Sequence, residues 1–214
     1  MMDSSMQEPF QLYDFDFKKH LEDYFSGHGK EGLFIDLSVG SLVDHLSTAN
    51  KYFKDIIVLK ARERDFKDMK ILVDTGKLHV EKEGNCDHGK PTIQSLLKID
   101  PEKENMTEPK TLPPADVVFT AGLLDVISKD EKNFLKLVRK IRKSLKLGGH
   151  LLLFGTINVT HMKVGEEKLN VFNYNEDFVR KALTKEKFII EDQMKTVETP
   201  HVKSVIFLTA HKQK

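Results

Sequence analysis

The residues best placed to do chemistry lie at the ends of short apolar runs, where the strands of a parallel sheet would end. Asp36 lies in the run 33–37 and opens a turn that reaches Gly40, and Asp100 follows another short apolar run. Glycine in such a turn lets backbone amides at a helix start approach a bound nucleotide, and a carboxylate accepts hydrogen bonds from it. Asp36, Gly40 and Asp100 are therefore the candidate binding residues, with Asp36 ordering the loop.

A lysine stands where a nucleotide-binding sheet usually carries an acid. Lys60 ends the run Asp55–Lys60, at the position from which a carboxylate would bind ribose hydroxyls. A lysine cannot accept those hydrogen bonds, and Glu63 and Asp65 could replace it only if their loop curls back. Two plainer interpretations stay open: a turn with one glycine is often an ordinary connection, and Asp100 also fits the cap of a turn.

Other reactive side chains give weaker patterns. The loop residues His79, Cys86, Asp87 and His88 match no tetrahedral spacing, so no metal site is predicted, and no catalytic residue is assigned. A basic helical stripe is interpreted as a solvated face, with phosphate binding as the alternative. Its members are Lys132, Lys136, Arg139, Lys140 and Lys143.

Strands and helices alternate along the chain, which predicts one α/β domain with a doubly wound, Rossmann-like sheet and a site at the carboxyl ends of its strands. Ser128 and Glu131 form a capping-box pattern for the best helix, and Gly148 is its predicted stop. Strands are predicted at 33–37, 55–60, 115–120, 150–155, 188–191 and 202–210. Helices are predicted at 15–25, 42–53, 66–73, 92–98, 128–146 and 175–183.

Composition excludes several classes of protein. A chain of 214 residues with 39% hydrophobic and 31% charged residues suits one globular domain. The chain has 34 Lys+Arg against 33 Asp+Glu, so it carries almost no net positive charge that would attract nucleic acid. One cysteine allows no internal disulfide, and neither a signal peptide nor an apolar run of about 18 residues is visible. We expect a cytoplasmic monomer without a membrane or nucleic-acid partner.

Several motifs in order resemble one enzyme family. The strand ending in Asp36, the segment 112–118 (Leu-Pro-Pro-Ala-Asp-Val-Val), the Leu-Leu-Asp at 123–125 and the Leu-Lys-Leu-Gly-Gly at 145–149 are similar to class I S-adenosylmethionine-dependent methyltransferases. More narrowly, they resemble the nicotinamide, indolethylamine and phenylethanolamine N-methyltransferase family. The segments 20–25 and 164–168 resemble that family's entry helix and the segment after its substrate-contacting strand.

The resemblance implies a fold and an activity. It implies a seven-stranded methyltransferase sheet, with a trimmed sheet as the alternative, preceded by a helical lid at 1–32 and occupying 33–214. It implies an S-adenosylmethionine-dependent N-methyltransferase-like protein acting on a small amine or pyridine. Asp36, Gly40 and Asp100 would then frame the adenosyl cavity. Aromatic residues between 10 and 17 are interpreted as core, with a pocket lid as the alternative.

The departures from the family fall on its working positions. Lys60 stands at the ribose-binding acid, Ser38 at a loop glycine and Gly155 at the acidic substrate contact. Others are His20 and Phe25 at two tyrosines, Asp44 at a third tyrosine and Ala121 at a threonine. Each lost charged hydrogen bond costs about 1.5–3 kcal/mol, and each ~1.4 kcal/mol is tenfold in affinity. The alternative is therefore a catalytically inactive methyltransferase-fold protein with a binding or structural role.

Overall fold

A computed structural model describes residues 9–28, 31–81, 90–191, 195–199 and 202–213 of the chain. The strands are β1 (Phe10–Gln11), β2 (Leu33–Asp36), β3 (Asp55–Lys60), β4 (His79–Val80), β5 (Thr92–Ile93), β6 (Ser95–Lys98), β7 (Ala115–Ala121), β8 (Leu145–Thr156), β9 (His161–Val164), β10 (Glu167–Asn170), β11 (Phe188–Ile190), β12 (Lys195–Thr199) and β13 (Val202–Lys212). The helices are α1 (Phe17–His28), α2 (Asp44–Tyr52), α3 (Glu63–Asp74), α4 (Leu123–Ile127), α5 (Glu131–Ser144) and α6 (Glu176–Lys185).

The main sheet has the strand order β11-β13-β8-β7-β2-β3-β6, and β12 pairs with β13. The five strands from β8 to β6 run parallel, whereas β13 and β11 are antiparallel to their neighbours. The predicted doubly wound sheet is confirmed, and all seven of its positions are filled. Because β2 and β3 are adjacent and parallel, Asp36 and Lys60 both end strands at the same edge of the sheet.

Helix α5 shows how the local sequence sets an element. Asp130 is its N-cap, and the Asp130 carboxylate accepts a hydrogen bond from the Asn133 N–H at 2.7 Å. The predicted Ser128 capping box is therefore wrong. The apolar stripe of α5 is buried as predicted. The helix ends at Ser144 rather than at Gly148, because Leu145 already pairs with Ala115 of β7.

The helix predicted at 92–98 is wrong. That segment forms β5 and β6, and β6 adds a parallel edge strand to β3, with Lys98 beside Lys60. Pairing with a neighbouring strand outweighs local propensity at this position. β4 pairs with β5 in a small separate sheet.

An unpredicted hairpin lies over the carboxyl edge of the main sheet. β9 and β10 pair antiparallel, and β1 adds to β9 in parallel, so that Phe10 near the start of the described chain pairs with Met162, 152 positions later. We call residues 161–170 the strap. Helix α1 packs on α2, with Phe17, Leu21 and Phe25 fully buried. Among the described residues no helix is long and apolar enough to cross a bilayer.

Candidate functional site

Asp36 ends β2 and is completely buried. Its Oδ1 accepts a hydrogen bond from the Ser38 N–H at 3.0 Å, and its Oδ2 lies 2.8 Å from Nε2 of His45 in α2. Burial alone would raise the pKa of Asp36, but His45 and Lys60 outweigh it and lower that pKa to about 2. Asp36 is therefore an ionised residue that orders its loop, the ordering role predicted for it.

Lys60 ends β3, and its side chain is also completely buried. Its Nζ donates to the Ser38 carbonyl oxygen at 3.0 Å and lies 3.3 Å from the Ser38 hydroxyl. Burial lowers the pKa of Lys60, against the opposing effects of Asp36 and Asp65. The ammonium group thus crosses from one strand end to the loop of the next, and it lies against the loop that should cradle a ligand.

The Gly40 turn is covered from the outside. Gly40 has φ +79°, and a Cβ placed there would lie 2.7 Å from Cγ1 of Val164 in the strap and 2.8 Å from the Tyr13 hydroxyl. The Ser41 N–H donates to that same hydroxyl at 3.0 Å. One of the amides offered by this turn is therefore already bonded to Tyr13, and the glycine makes room for the strap.

The strap is held in place on both flanks. Glu167 accepts a hydrogen bond from Arg62, just after β3, at 2.6 Å, and Arg64 lies 3.3 Å from its other oxygen. The Gln11 side chain donates to the Gly165 carbonyl at 2.9 Å and accepts from the Gly165 N–H at 3.1 Å. The hydrogen bond from Arg62 and the charge of both arginines lower the pKa of Glu167. These contacts join the strap to β3 and to β1.

Asp100, the third predicted binding residue, is exposed. Its Oδ1 accepts a hydrogen bond from the Glu102 N–H at 3.0 Å, which is the turn-capping geometry of the plainer interpretation. Asp36, Gly40, Lys60 and Asp100 do not line any of four cavities found among the described residues. The structure brings Asp36 and Gly40 into one loop and leaves Asp100 on the surface. Cofactor binding by these residues stays a prediction.

A second buried cluster surrounds Gly155, near the end of β8. The Tyr174 hydroxyl donates to Asp125, and Asp125 also accepts from the Thr156 N–H at 2.8 Å. Burial raises the pKa of Asp125 to about 6, although these donors oppose that rise. A Cβ at Gly155 would lie only 2.2 Å from the Tyr174 hydroxyl. Tyr174 therefore fills the place where the resemblance predicts an acidic substrate contact.

Sequence reasoning missed Tyr174. The core interpretation of the aromatic residues between 10 and 17 holds for Phe10, Phe15 and Phe17 but is wrong for Tyr13, which is 40% exposed and lies over Gly40. Tyr174 lies in an irregular segment and Tyr13 in a single 3-10 turn, and neither shows a periodic pattern or a recognised spacing. The only available signal was the small residue at Gly155 and at Gly40, which indicates that some other group approaches the backbone there. A glycine does not reveal which group that is.

Two members of the basic stripe are paired with acidic groups. Arg139 makes two hydrogen bonds to Glu186, at 3.1 and 2.8 Å, and Lys143 contacts Glu104. Lys140 is buried and donates to a backbone carbonyl, so it does not belong to a solvated face. Of the loop residues considered for a metal, Cys86, Asp87 and His88 lie outside the described part of the chain.

The described residues do not fit an adenosyl group in this arrangement. Such a group needs an acceptor for its ribose hydroxyls and open amides at the glycine turn. Lys60 supplies only donors, and its ammonium is already bonded to Ser38. Tyr13 and Val164 cover Gly40.

Comparison with known proteins identifies related sequences. The family described as NNMT/PNMT/TEMT matches residues 75–213. Human phenylethanolamine N-methyltransferase is 26% identical over 89% of this chain and 77% of its own length. Rabbit (Oryctolagus cuniculus) indolethylamine N-methyltransferase is 26% identical over 92% and 84%. Human nicotinamide N-methyltransferase is 24% identical over 81% and 72%.

Solved structures share the fold. An S-adenosylmethionine-dependent methyltransferase from Clostridium acetobutylicum superposes with a TM-score of 0.67 at 14% identity, covering 94% of each chain. The 1,6-didemethyltoxoflavin-N1-methyltransferase of Burkholderia thailandensis, solved with S-adenosylhomocysteine bound, gives a TM-score of 0.62 at 11% identity. That match covers 94% of this chain and 80% of the other. At these identities the likeness establishes the architecture alone.

Proposed function

This chain belongs to the NNMT/PNMT/TEMT family, and from that premise we propose that it is a non-catalytic member, a methyltransferase-fold protein with a binding or structural role. The observation that carries the proposal is the buried ammonium of Lys60 bonded to Ser38, in the loop where a family enzyme would hold its methyl donor. The proposal explains why the sheet is complete while its ligand-binding edge is closed.

The closure is costly to reverse. Moving a ligand against the loop would separate Lys60 from Ser38 and from the neighbouring Asp36, and breaking a buried charged cluster typically costs about 3–5 kcal/mol. S-adenosylmethionine is itself positively charged at sulfur, so it would also meet a cation of the same sign. Affinity falls tenfold for each ~1.4 kcal/mol, which makes family-like binding weaker by about two to four orders of magnitude.

The acceptor side supports the same proposal. Gly155 has no side chain to contact an amine, and Tyr174 and Asp125 are hydrogen-bonded to each other beside it, both buried. Methyl transfer depends mainly on holding donor and acceptor in line and excluding water. A site whose donor and acceptor positions are both filled by the protein cannot hold the two reactants in line.

The second candidate is an active S-adenosylmethionine-dependent N-methyltransferase for a small amine or pyridine. It is favoured by the relatives, which are N-methyltransferases named for phenylethanolamine, indolethylamine and nicotinamide. This candidate requires the strap to open and Lys60 to leave Ser38. Asp36 and Gly40 would then be the donor-binding residues.

Isothermal titration of the full chain with S-adenosylhomocysteine and S-adenosylmethionine separates the two candidates without knowledge of the acceptor. We expect no saturable heat up to about 1 mM ligand, the concentration that corresponds to about −4 kcal/mol of binding. A dissociation constant in the micromolar range would overturn the proposal and favour the enzyme.

A paired variant tests the cause of the closure. Lys60→Asp combined with Tyr13→Ala removes the ammonium and one cover of Gly40, so we expect measurable S-adenosylhomocysteine binding. Lys98→Asp with Tyr13→Ala is the matched control, because Lys98 is the register neighbour of Lys60 on β6 and its side chain is partly exposed. Equal gains in both variants would show that Lys60 does not close the site.

A further inference from the structure

Three strands bring two histidines and a glutamate together, away from the carboxyl edge of the sheet. His150 of β8 is the direct register partner of His211 of β13, so both side chains lie on the same face. Glu191 follows β11, and its N–H donates to the Thr209 carbonyl. Because alternate residues share a face, the pairing with Thr209 puts Glu191 on the face that carries His211.

The donor atoms of these side chains already converge. Nε2 of His150 lies 3.0 Å from Oε1 of Glu191, and Nδ1 of His211 lies 3.3 Å from the same oxygen. All three ligand atoms lie within 4.8 Å of one another. Ligands at 2.0–2.1 Å from a tetrahedral zinc ion are about 3.3 Å apart, so a metal requires only small side-chain movements.

The environment suits a held ion. The side chains of His150, Glu191 and His211 are 13, 19 and 34% exposed, so the cluster is shielded but reachable from solvent. His150 also lies against the ring of Tyr24 in α1, with ring centroids 6.1 Å apart. Two imidazoles with one carboxylate are a donor set that favours zinc and similar transition ions over magnesium or calcium.

We propose that His150, Glu191 and His211 form a zinc site, with water as the fourth ligand. The ion would join β8, β13 and β11, and its effect would be to stabilise the half of the sheet that carries the antiparallel strands. The site is separate from the Asp36–Gly40 loop, so this inference does not depend on whether the chain binds a methyl donor.

Titration of the untagged, metal-free full chain with zinc chloride tests the proposal. We expect one equivalent to bind, and cobalt(II) as a probe to give the intense visible absorption of a tetrahedral ion. His211→Gln and Glu191→Gln should each weaken zinc binding about tenfold or more, since loss even of an outer-shell partner often has that effect. His161→Gln, a histidine of the strap bonded to the adjacent Thr160, is the matched control and should bind normally.

Thermal unfolding provides a second readout that requires only that the variants fold. Zinc at about 100 times the wild-type dissociation constant should raise the wild-type midpoint by roughly 5–10 °C, and it should raise the midpoint of His211→Gln by no more than about half as much. The proposal is wrong if no saturable binding occurs below about 100 μM zinc, a concentration equivalent to about −5.5 kcal/mol. It is equally wrong if Cys86→Ser with His88→Gln abolishes binding while His211→Gln leaves it intact.

Discussion

At the residue scale, two buried aspartates near the carboxyl edge of the sheet differ in charge because of what faces them. Asp36 faces His45 and the ammonium of Lys60, which together hold its pKa near 2. Asp125 faces hydroxyl groups and one amide and has no cation among its described partners, so burial raises its pKa to about 6. Asp36 therefore belongs to a charged cluster that closes the loop, and Asp125 to a hydrogen-bonded cluster under Gly155.

The raised pKa of Asp125 gives a pH dependence of stability with a definite sign. The folded-state pKa exceeds the unfolded value of 3.8, so its contribution is complete below about pH 4 and is lost as the pH rises through about 6. Urea unfolding of Asp125→Asn between pH 4 and 7 should lack this decline, which amounts to at most about 3 kcal/mol in the wild type. An unchanged slope in the variant would assign the decline to other groups.

Gly40→Ala should be more destabilising than an alanine at another left-handed glycine. Both Gly40 and Gly148 have positive φ, at +79° and +72°, but a Cβ meets Val164 and Tyr13 at the first and nothing within 4 Å at the second. The shared backbone cost is about 1–2 kcal/mol, and the clash should add about 1–3 kcal/mol at Gly40 only. Chemical denaturation of both variants measures the difference, and equal losses would mean that the strap does not press on Gly40.

The sequence predicted which unusual residue types occupy the site, but it did not predict which other residues contact them. The sequence indicated that Lys60 replaces an acid and that Gly155 lacks a side chain. It could not indicate that Lys60 bonds to Ser38 or that Tyr174 occupies the space beside Gly155, because both contacts join positions far apart in the chain. The cluster of His150, Glu191 and His211 could not be predicted either, because its members are also far apart in the sequence and are brought together by pairing between strands.

At the scale of elements, the strap decides whether the carboxyl edge of the sheet is open. Its anchor to the core is the contact between Glu167 and Arg62, whose side chains are 26 and 18% exposed. A double-mutant cycle with Arg62→Gln and Glu167→Gln should give a coupling free energy of about 1 kcal/mol, as for contacts in one charge network. The pair Arg180 and Glu176 on α6 is more exposed and should give about 0.3–0.5 kcal/mol. A coupling below that of the control pair would mean that this contact does not hold the strap.

The main helices and strands could be predicted because their apolar residues recur with regular spacing. The N-terminal helix, α5, α6 and the parallel strands β2, β3, β7 and β8 all carry such patterns. β6 was mistaken for a helix because four residues of an edge strand give too little periodicity to separate the two. The strap was missed because its strands are short and partly polar, and because β1, its partner, lies at the other end of the sequence.

At the scale of the whole molecule, one sheet carries two separate polar clusters. The carboxyl edge carries the Asp36, Lys60 and Gly40 cluster closed by the strap, and His150 and His211 pair closer to the amino ends of the parallel strands. Because Asp36 and Lys60 are both hydrogen-bonded within the first cluster, the complete methyltransferase architecture can be stable without a ligand there. Family membership follows from the sequence, while we propose that activity depends on this edge.

The most direct measurement of the closure is the amide NMR spectrum of the full chain during addition of S-adenosylhomocysteine. The Gly40 and Ser41 resonances report on the covered turn itself, and we expect them to stay unchanged up to about 2 mM ligand, which corresponds to affinities weaker than about −4 kcal/mol. Saturable shifts of these two resonances at micromolar ligand would contradict the account, because the turn would then be open to a methyl donor.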